Sequence, residues 1–418
     1  MPRIILKKKE KQEEEVWRGN RTLQGFWLGA CSSLLVMLVL VLVLDTTDVI
    51  SLNRLRGNSG YSTLERKIMN KVNMLEVFID QYFLDEIDEE KMADEVYKGV
   101  INGLGDDYAA YYTAEEYEAI LESTNGIYCG IGAYISANTQ TGIVTIVKPM
   151  KNSPCEKAGI QAGDIIYAVD GEEVTGMEIS EVQAMVKGEQ GSEVVLTVVR
   201  ENEQKDITVV RDEIETDTVS SQMLDNKIGY IQITSFDQVT PKQFENALKK
   251  LEKKGQKGLI IDLRDNGGGL LDAAVEMLDR MLPKGLVVYS MDKSGEKVEY
   301  MAEDDDAFEK PLVLLVNGNS ASASEVFCGA IQDKGTGTLI GTTTYGKGIV
   351  QGIFGLDDGS AVKMTTARYY TPEGRNIHGK GLTPDIEVEL SEAVQELPES
   401  GVKVDNQIKA AYDYLVAQ

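Results

Sequence analysis

Apolar positions change period along this chain. Leu64, Ile68, Val72, Leu75 and Ile79 recur every three or four residues, which places them on one face of a helix. Ser62 followed by Glu65 supplies a capping box for its start. A second helix is expected over about 90–103, and a third from Thr113-Ala114-Glu115-Glu116. Between 126 and 211 short β-type runs take over: Ile131–Ser136, Ile143–Lys148, Ile165–Val169 and Val194–Val199. Pro154–Gly159 reads as a short helix stopped by glycine. An amphipathic helix over about 179–187 carries Ile179, Val182, Met185 and Val186 on one face. From about 213 strands alternate with helices. Gly229–Ile233, Gly258–Arg264 and Leu312–Val316 are strands, Pro241–Lys254 is a helix, and a helix runs from Ser322 to Lys334 with Gly335 to end it. That alternation predicts an α/β core.

One run fits none of these periods. From Gly25 to Leu44 no charge interrupts the apolar sequence, and a spanning helix needs about 20 such residues. Seven Lys/Arg and four Asp/Glu precede it in residues 1–24, and Asp45 and Asp48 follow. The positive-inside rule then expects a cytoplasmic tail (1–24), an uncleaved transmembrane anchor (25–44), a linker (45–61) and the remainder outside a cell membrane of bacterial type. The run is longer than a signal-peptide core, and no small-x-small cleavage site follows it. The formal net charge of −26 argues against a nucleic-acid partner, which would require clustered Lys and Arg. Three cysteines fall outside the apolar run, Cys129, Cys155 and Cys328. They form neither a disulfide framework nor a metal-ligand spacing, although one Cys129–Cys155 bridge is conceivable. Neither a metal nor a cofactor is expected.

The candidate chemistry lies around the 312–316 strand. Asn317-Gly318-Asn319-Ser320-Ala321-Ser322-Ala323-Ser324-Glu325 follows it and opens a helix. A serine there is a good N-cap, or a nucleophile whose helix end offers unpaired N–H groups to an oxyanion. Local pattern does not choose among Ser320, Ser322 and Ser324. A serine nucleophile needs a base. The chain has one histidine, His378, in a polar turn. Lys347, in Tyr345-Gly346-Lys347-Gly348, lies 25 residues after Ser322; a lysine neutralised by burial can act as a base. Farther upstream, Gly130-Ile131-Gly132 lacks bulky flanking side chains, so its backbone can aim N–H groups at an anion such as a terminal carboxylate. The strand after it could pair with an extended peptide.

The order glycine loop, strand, Ser153-Pro154 to Ala158-Gly159-Ile160, Gly163-Asp164, amphipathic helix resembles a PDZ domain of the bacterial protease type. Asn317 to Glu325 followed by Tyr345-Gly346-Lys347-Gly348 and Gln351 is similar to the carboxyl-terminal processing peptidases, or tail-specific proteases. Asp262-Leu263-Arg264-Asp265-Asn266-Gly267-Gly268-Gly269, Thr366 to Arg375, Gly379 to Asp385 and Gly103-Leu104-Gly105-Asp106-Asp107-Tyr108 extend the resemblance, in order, over roughly 62–390. It implies a serine endopeptidase with Ser322 as nucleophile, Lys347 as general base and Gln351 orienting the lysine. It also implies an oxyanion hole from the amides of Gly268 and Ala323, and Gly130, Ile131 and Gly132 as the site for a substrate's C-terminus. Asp333 is expected to support its helix or loop, and Glu325 to suit the helix dipole as a first-turn carboxylate. Cys129 stands where the pattern often has glycine.

The expected fold is mixed α/β: a crotonase-like ββα peptidase core (213–390), an inserted β-rich PDZ domain (123–212), an N-terminal helical region (62–122), a C-terminal helical segment (391–418) and a single transmembrane helix. Expected partners are proteins or peptides with a free, apolar C-terminus and the membrane, with no nucleic acid. Residues 62–103 read equally as a small helical subdomain, a tether or a dimer arm. The rival to an active protease is a PDZ-bearing scaffold with an inactive core.

Overall fold

The computed structural model describes residues 63–303 and 307–418. The apolar run at 25–44 and the Ser62 cap lie outside the described residues; within them, no helix is long and apolar enough to cross a membrane. The chain forms two compact units that divide after Asp88. In the first, α1 (Thr63–Tyr82) buries no residue, and its apolar positions Leu64, Ile68 and Leu75 are exposed.

The second unit opens with α2 (Glu89–Asn102), β1 (Ala110–Tyr112) and α3 (Ala114–Asn125). Thr113 and Glu116 form a capping box at the start of α3, and Gly126 closes it in the left-handed conformation. The β-rich insertion follows with β2 (Ile127–Gly130), β3 (Ala133–Ala137), β4 (Val144–Pro149), α4 (Pro154–Ala158), β5 (Ile165–Val169) and β6 (Glu172–Glu173). It continues through α5 (Ile179–Val186), β7 (Glu193–Arg200), β8 (Glu203–Val210) and β9 (Asp212–Glu215). Strands β3-β4-β5-β7-β8 make one sheet, and β2 pairs antiparallel with β9, so entry and exit of the insertion run side by side. Ile146, Ile166, Val182, Leu196 and Val209 close a core of its own. The strand expected over Ile131–Ser136 is β3 and begins at Ala133 rather than Ile131, because Gly132 (φ 72°) turns the chain before the ladder starts.

The α/β core contains β10 (Val219–Met223), β11 (Ile228–Ile233), α6 (Thr240–Lys253), β12 (Gly258–Asp262), α7 (Leu271–Met281), β13 (Gly285–Asp292) and β14 (Lys297–Ala302). Next come β15 (Leu312–Val316), α8 (Ala323–Lys334), β16 (Thr338–Gly341), β17 (Ile349–Gly355), β18 (Ala361–Tyr370) and β19 (Ile386–Glu387). The chain ends with β20 (Gln395–Glu396), β21 (Lys403–Val404) and α9 (Asn406–Val416). One sheet has the order β10-β11-β12-β15-β16-β19, parallel from β11 onward. Its central strands are covered on both faces. Leu259, Ile261, Leu312 and Leu314 pack with α6, α7 and α8, while Ile260, Val313 and Leu315 meet α9. That is why these strands read as unbroken apolar runs rather than alternating ones. The second sheet, β1-β18-β13-β14 with β17 on β18, brings β1 from the N-terminal helical region onto the core.

The C-terminal helix is fastened through charge. Asp262, at the end of β12 and 1% exposed, accepts from Arg264 at both oxygens (2.9 and 2.6 Å) and from the Tyr230 hydroxyl (2.8 Å). The same guanidinium reaches Asp405, the N-cap of α9, at 3.0 Å and Gln407 at 2.8 Å. Removing one partner of such a buried pair leaves an uncompensated charge. Arg264→Met should therefore cost about 3–5 kcal/mol, read as a lower urea midpoint with an unchanged m-value. A midpoint within error of the parent would show that α9 docks by apolar contact alone.

Candidate active site

Three serines compete for one role, and burial separates them. Ser320 and Ser324 are fully buried. The Ser320 hydroxyl donates to the Leu263 carbonyl (2.8 Å) and accepts from the Asn317 amide (3.0 Å), while that of Ser324 donates to the Asn266 carbonyl (2.9 Å). Both tie the 317–324 turn to the end of β12. Ser322 alone is half-exposed. It stands just before α8 at φ 56°, ψ −117°, a region that costs a non-glycine residue on the order of 1–3 kcal/mol and persists only when its surroundings enforce it.

The enforcement comes largely from Glu325. The Ser322 amide donates to Glu325 Oε2 (3.0 Å), as does the Lys347 amide (2.8 Å). Glu325 Oε1 accepts from the Gly346 amide (2.7 Å) and the Thr344 hydroxyl (2.6 Å). This carboxylate is fully buried and gathers four donors, so it joins the serine turn to the lysine loop. The sequence expectation for Glu325, a carboxylate suited to the helix dipole, understates it. The motif supplies the residue, but only the fold shows that it bridges 22 positions. The lysine loop is held from its other side as well. The Gly379 amide donates to the Gly346 carbonyl (2.8 Å) and the Leu382 amide to the Thr344 hydroxyl (2.7 Å). A Cβ at Gly348 would lie 2.6 Å from the His378 amide nitrogen. His378 thus contributes its backbone, and its side chain is exposed.

The Lys347 amine lies 4.8 Å from the centre of the Tyr108 ring. Burial and the nearby Lys363 ammonium push its pKa below the ordinary lysine value, against the pull of Asp106 and Glu325. Asp106 accepts from the amides of Tyr108 (3.0 Å) and of Thr365 on β18 (3.0 Å). The Gly103–Tyr108 segment therefore folds onto the lysine from outside the 213–390 region, a placement that sequence reading did not reach. Lys347 is hydrogen-bonded to neither the Ser322 hydroxyl nor Gln351. Gln351 sits on β17 opposite Thr365, and its buried amide nitrogen has no partner among the described residues.

Gly268 (φ 100°) packs against the serine turn, where a Cβ would lie 2.8 Å from that of Ser322. Its amide donates to Asn266 Oδ1 (2.8 Å). The Ala323 amide, at the start of α8, donates to no group among the described residues. Asp333 accepts from Arg375 and from the Glu373 amide (2.8 Å), clamping the 371–375 turn onto α8.

Beside Gly130 and Ile131 a groove of about 470 Å³ runs between β3 and α5. The Ile131 side chain is buried in the insertion's core, while the amides of Ile131 and Gly132 donate to nothing among the described residues. The α5 side is fixed by Arg211, which donates to the carbonyls of Met185 (3.0 Å) and Val186 (3.1 Å). Lys187 borders the groove, paired with Glu122 of α3 at 2.5 Å and lying over the Tyr128 ring. Cys129 and Cys155 are both free thiols. Among the described residues no group of His, Cys, Asp and Glu has the arrangement of a metal site.

Two family profiles match the chain. The sequence profile described as Peptidase family S41 matches residues 227–388, and that of a PDZ domain matches 145–200. The chain is similar to the carboxy-terminal processing protease CtpA of Bacillus subtilis (strain 168), 39% identical over 80% of this chain and 72% of that one. It is also similar to a probable CtpA-like serine protease of Staphylococcus epidermidis, 35% identical over 85% of this chain and 72% of that one. Among solved structures, the photosystem II D1 C-terminal processing protease aligns at 28% identity with a TM-score of 0.45, covering 76% of this chain and 86% of that one.

Proposed function

The chain belongs to peptidase family S41, among the serine-type carboxy-terminal processing proteases with a PDZ domain, and from that membership we propose a Ser322–Lys347 dyad acting through an acyl-enzyme. The observation that carries the reading is the Glu325 node, which holds the amides of both residues in one buried cluster. Neutral Lys347 takes the proton of the Ser322 hydroxyl as Oγ attacks the peptide carbonyl. The lysine then protonates the leaving amine, and water hydrolyses the ester. Gln351, on β17 just after the lysine loop, supplies a buried amide to orient the lysine. The Ala323 amide is free to meet the oxyanion; at Gly268 the oxyanion competes with Asn266 Oδ1 for the amide. Hydrogen bonds of this kind often tighten only with substrate present, which accommodates a resting lysine over Tyr108.

Ser322→Ala and Lys347→Ala should each lower kcat on an unstructured protein substrate by on the order of 10⁴-fold or more; retained cleavage in either would remove the dyad. The proton-accepting lysine must be neutral, so activity should rise with pH through its lowered pKa. Lys363 disfavours the charge on Lys347. Lys363→Gln should therefore raise that pKa and move the rising limb to higher pH, and a limb that stays in place would assign the titration to another group.

Substrate C-termini are proposed to dock on the free amides of Ile131 and Gly132, with apolar side chains in the groove. Amidating the substrate's C-terminus should raise KM and leave the slow hydrolysis of short internal peptides unchanged. Equal KM for acid and amide would separate the groove from recognition.

The uncharged run at 25–44, with basic residues before it, supports anchoring in a cell membrane with the peptidase outside the cytoplasm. Full-length protein should stay with membranes after alkaline carbonate washing, and its C-terminal part should be digestible by protease added from the outer side. Release by the wash would refute the anchor.

A further inference from the structure

Glu325 holds Ser322 and Lys347 by their amides; their carbonyls meet a second side chain. The Tyr369 hydroxyl donates to the Ser322 carbonyl (3.0 Å) and also to the carbonyl of Lys347. Tyr369 is the penultimate residue of β18 and is 3% exposed. Its own backbone is fixed: its amide donates to the Gly348 carbonyl (3.3 Å), and its carbonyl accepts from Asn376 Nδ2 (3.1 Å). The ring packs in the main core, so the hydroxyl has little freedom to swing away. Burial and Glu325 push its pKa well above the usual phenol value, which keeps the proton on the oxygen. One hydrogen faces two carbonyls and must fork or alternate between them. Either way, main-chain groups of residues 25 positions apart share a single donor.

We propose that Tyr369 is a positioning residue of the peptidase reaction, its hydroxyl fixing the main chain of Ser322 relative to that of Lys347. The inference rests on the Ser322–Lys347 reading. The Ser322 carbonyl also accepts from the Glu325 and Val326 amides (2.9 and 3.0 Å), which fix it at the start of α8. The Lys347 carbonyl accepts from no other donor among the described residues, so Tyr369 is what ties it to that fixed point. Reaction rates fall about 10²-fold when reacting groups are misplaced by about 1 Å.

The full-length protein carrying Tyr369→Phe is the test, with Ser322→Ala and Lys347→Ala alongside. Loss of the hydroxyl should lower kcat roughly 10²-fold while KM for an unstructured protein substrate stays unchanged. Reaction of Ser322 with a fluorophosphonate should slow in parallel. Unchanged kcat, or a fall in kcat accompanied by a raised KM and a lower melting temperature, overturns the proposal. If both alanine variants are inactive and Tyr369→Phe is fully active, the dyad stands and this role for Tyr369 does not. If the alanine variants cleave, the dyad fails and the proposal fails with it. A ring-fluorinated tyrosine at 369 keeps the hydroxyl and so should retain near-parental activity. Its ¹⁹F resonance should also shift when Ser322 is phosphonylated, a readout that does not depend on folding of the Phe variant. A resonance that stays in place, or activity lost despite the retained hydroxyl, overturns it.

Discussion

A single buried carboxylate organises this molecule's chemistry. A carboxylate is costly to bury unless hydrogen bonds replace its water, and Glu325 obtains four, three from backbone amides. Those amides belong to two segments that do not meet along the sequence. The serine turn therefore cannot keep its strained conformation independently of the lysine loop, nor the loop its position independently of the turn. The glycines of the loop serve the same end: Gly346 and Gly348 let the 377–381 segment press on it from behind, where a Cβ at either would come within 3 Å of backbone nitrogen.

The PDZ insertion stands at a distance from this node in sequence but shares walls with the rest of the chain. Its groove is bordered by Ala119, Glu122 and Asp237, which belong to the helical region and the core. Burial raises the pKa of Asp237. The Lys187–Glu122 pair crosses from the insertion to α3. The groove is therefore walled by elements on both sides of the insertion's boundary.

Much of the architecture was legible in the residues. Leu312–Val316 and Ile165–Val169 are strands with the limits that their apolar runs suggest, and Gly335 ends α8 as expected. Local pattern encodes such features because helix ends and buried strands depend on near neighbours. The sheet containing β1, β13 and β18 was not legible, since its pairing joins Ala110 to Lys363 across most of the folded chain. At the site, motif resemblance singled out Ser322 and Lys347. Tyr108, Asp106 and the bridging role of Glu325 needed three-dimensional proximity, and the amides of Gly268 and Gln351 have partners or vacancies that no spacing reveals.

The Arg264 fastening has a consequence in time. Asp262 ends the strand that leads directly into Asn266 and the glycines beside Ser322, and its guanidinium partner is shared with residues 141 and 143 positions farther on. Contacts so distant in sequence form late, because the closing of a long loop must precede any gain. A chain emerging from the ribosome presents its serine turn well before α9 exists to cover the far face of the sheet. The support under the glycine turn is therefore completed only when α9 has docked on the sheet.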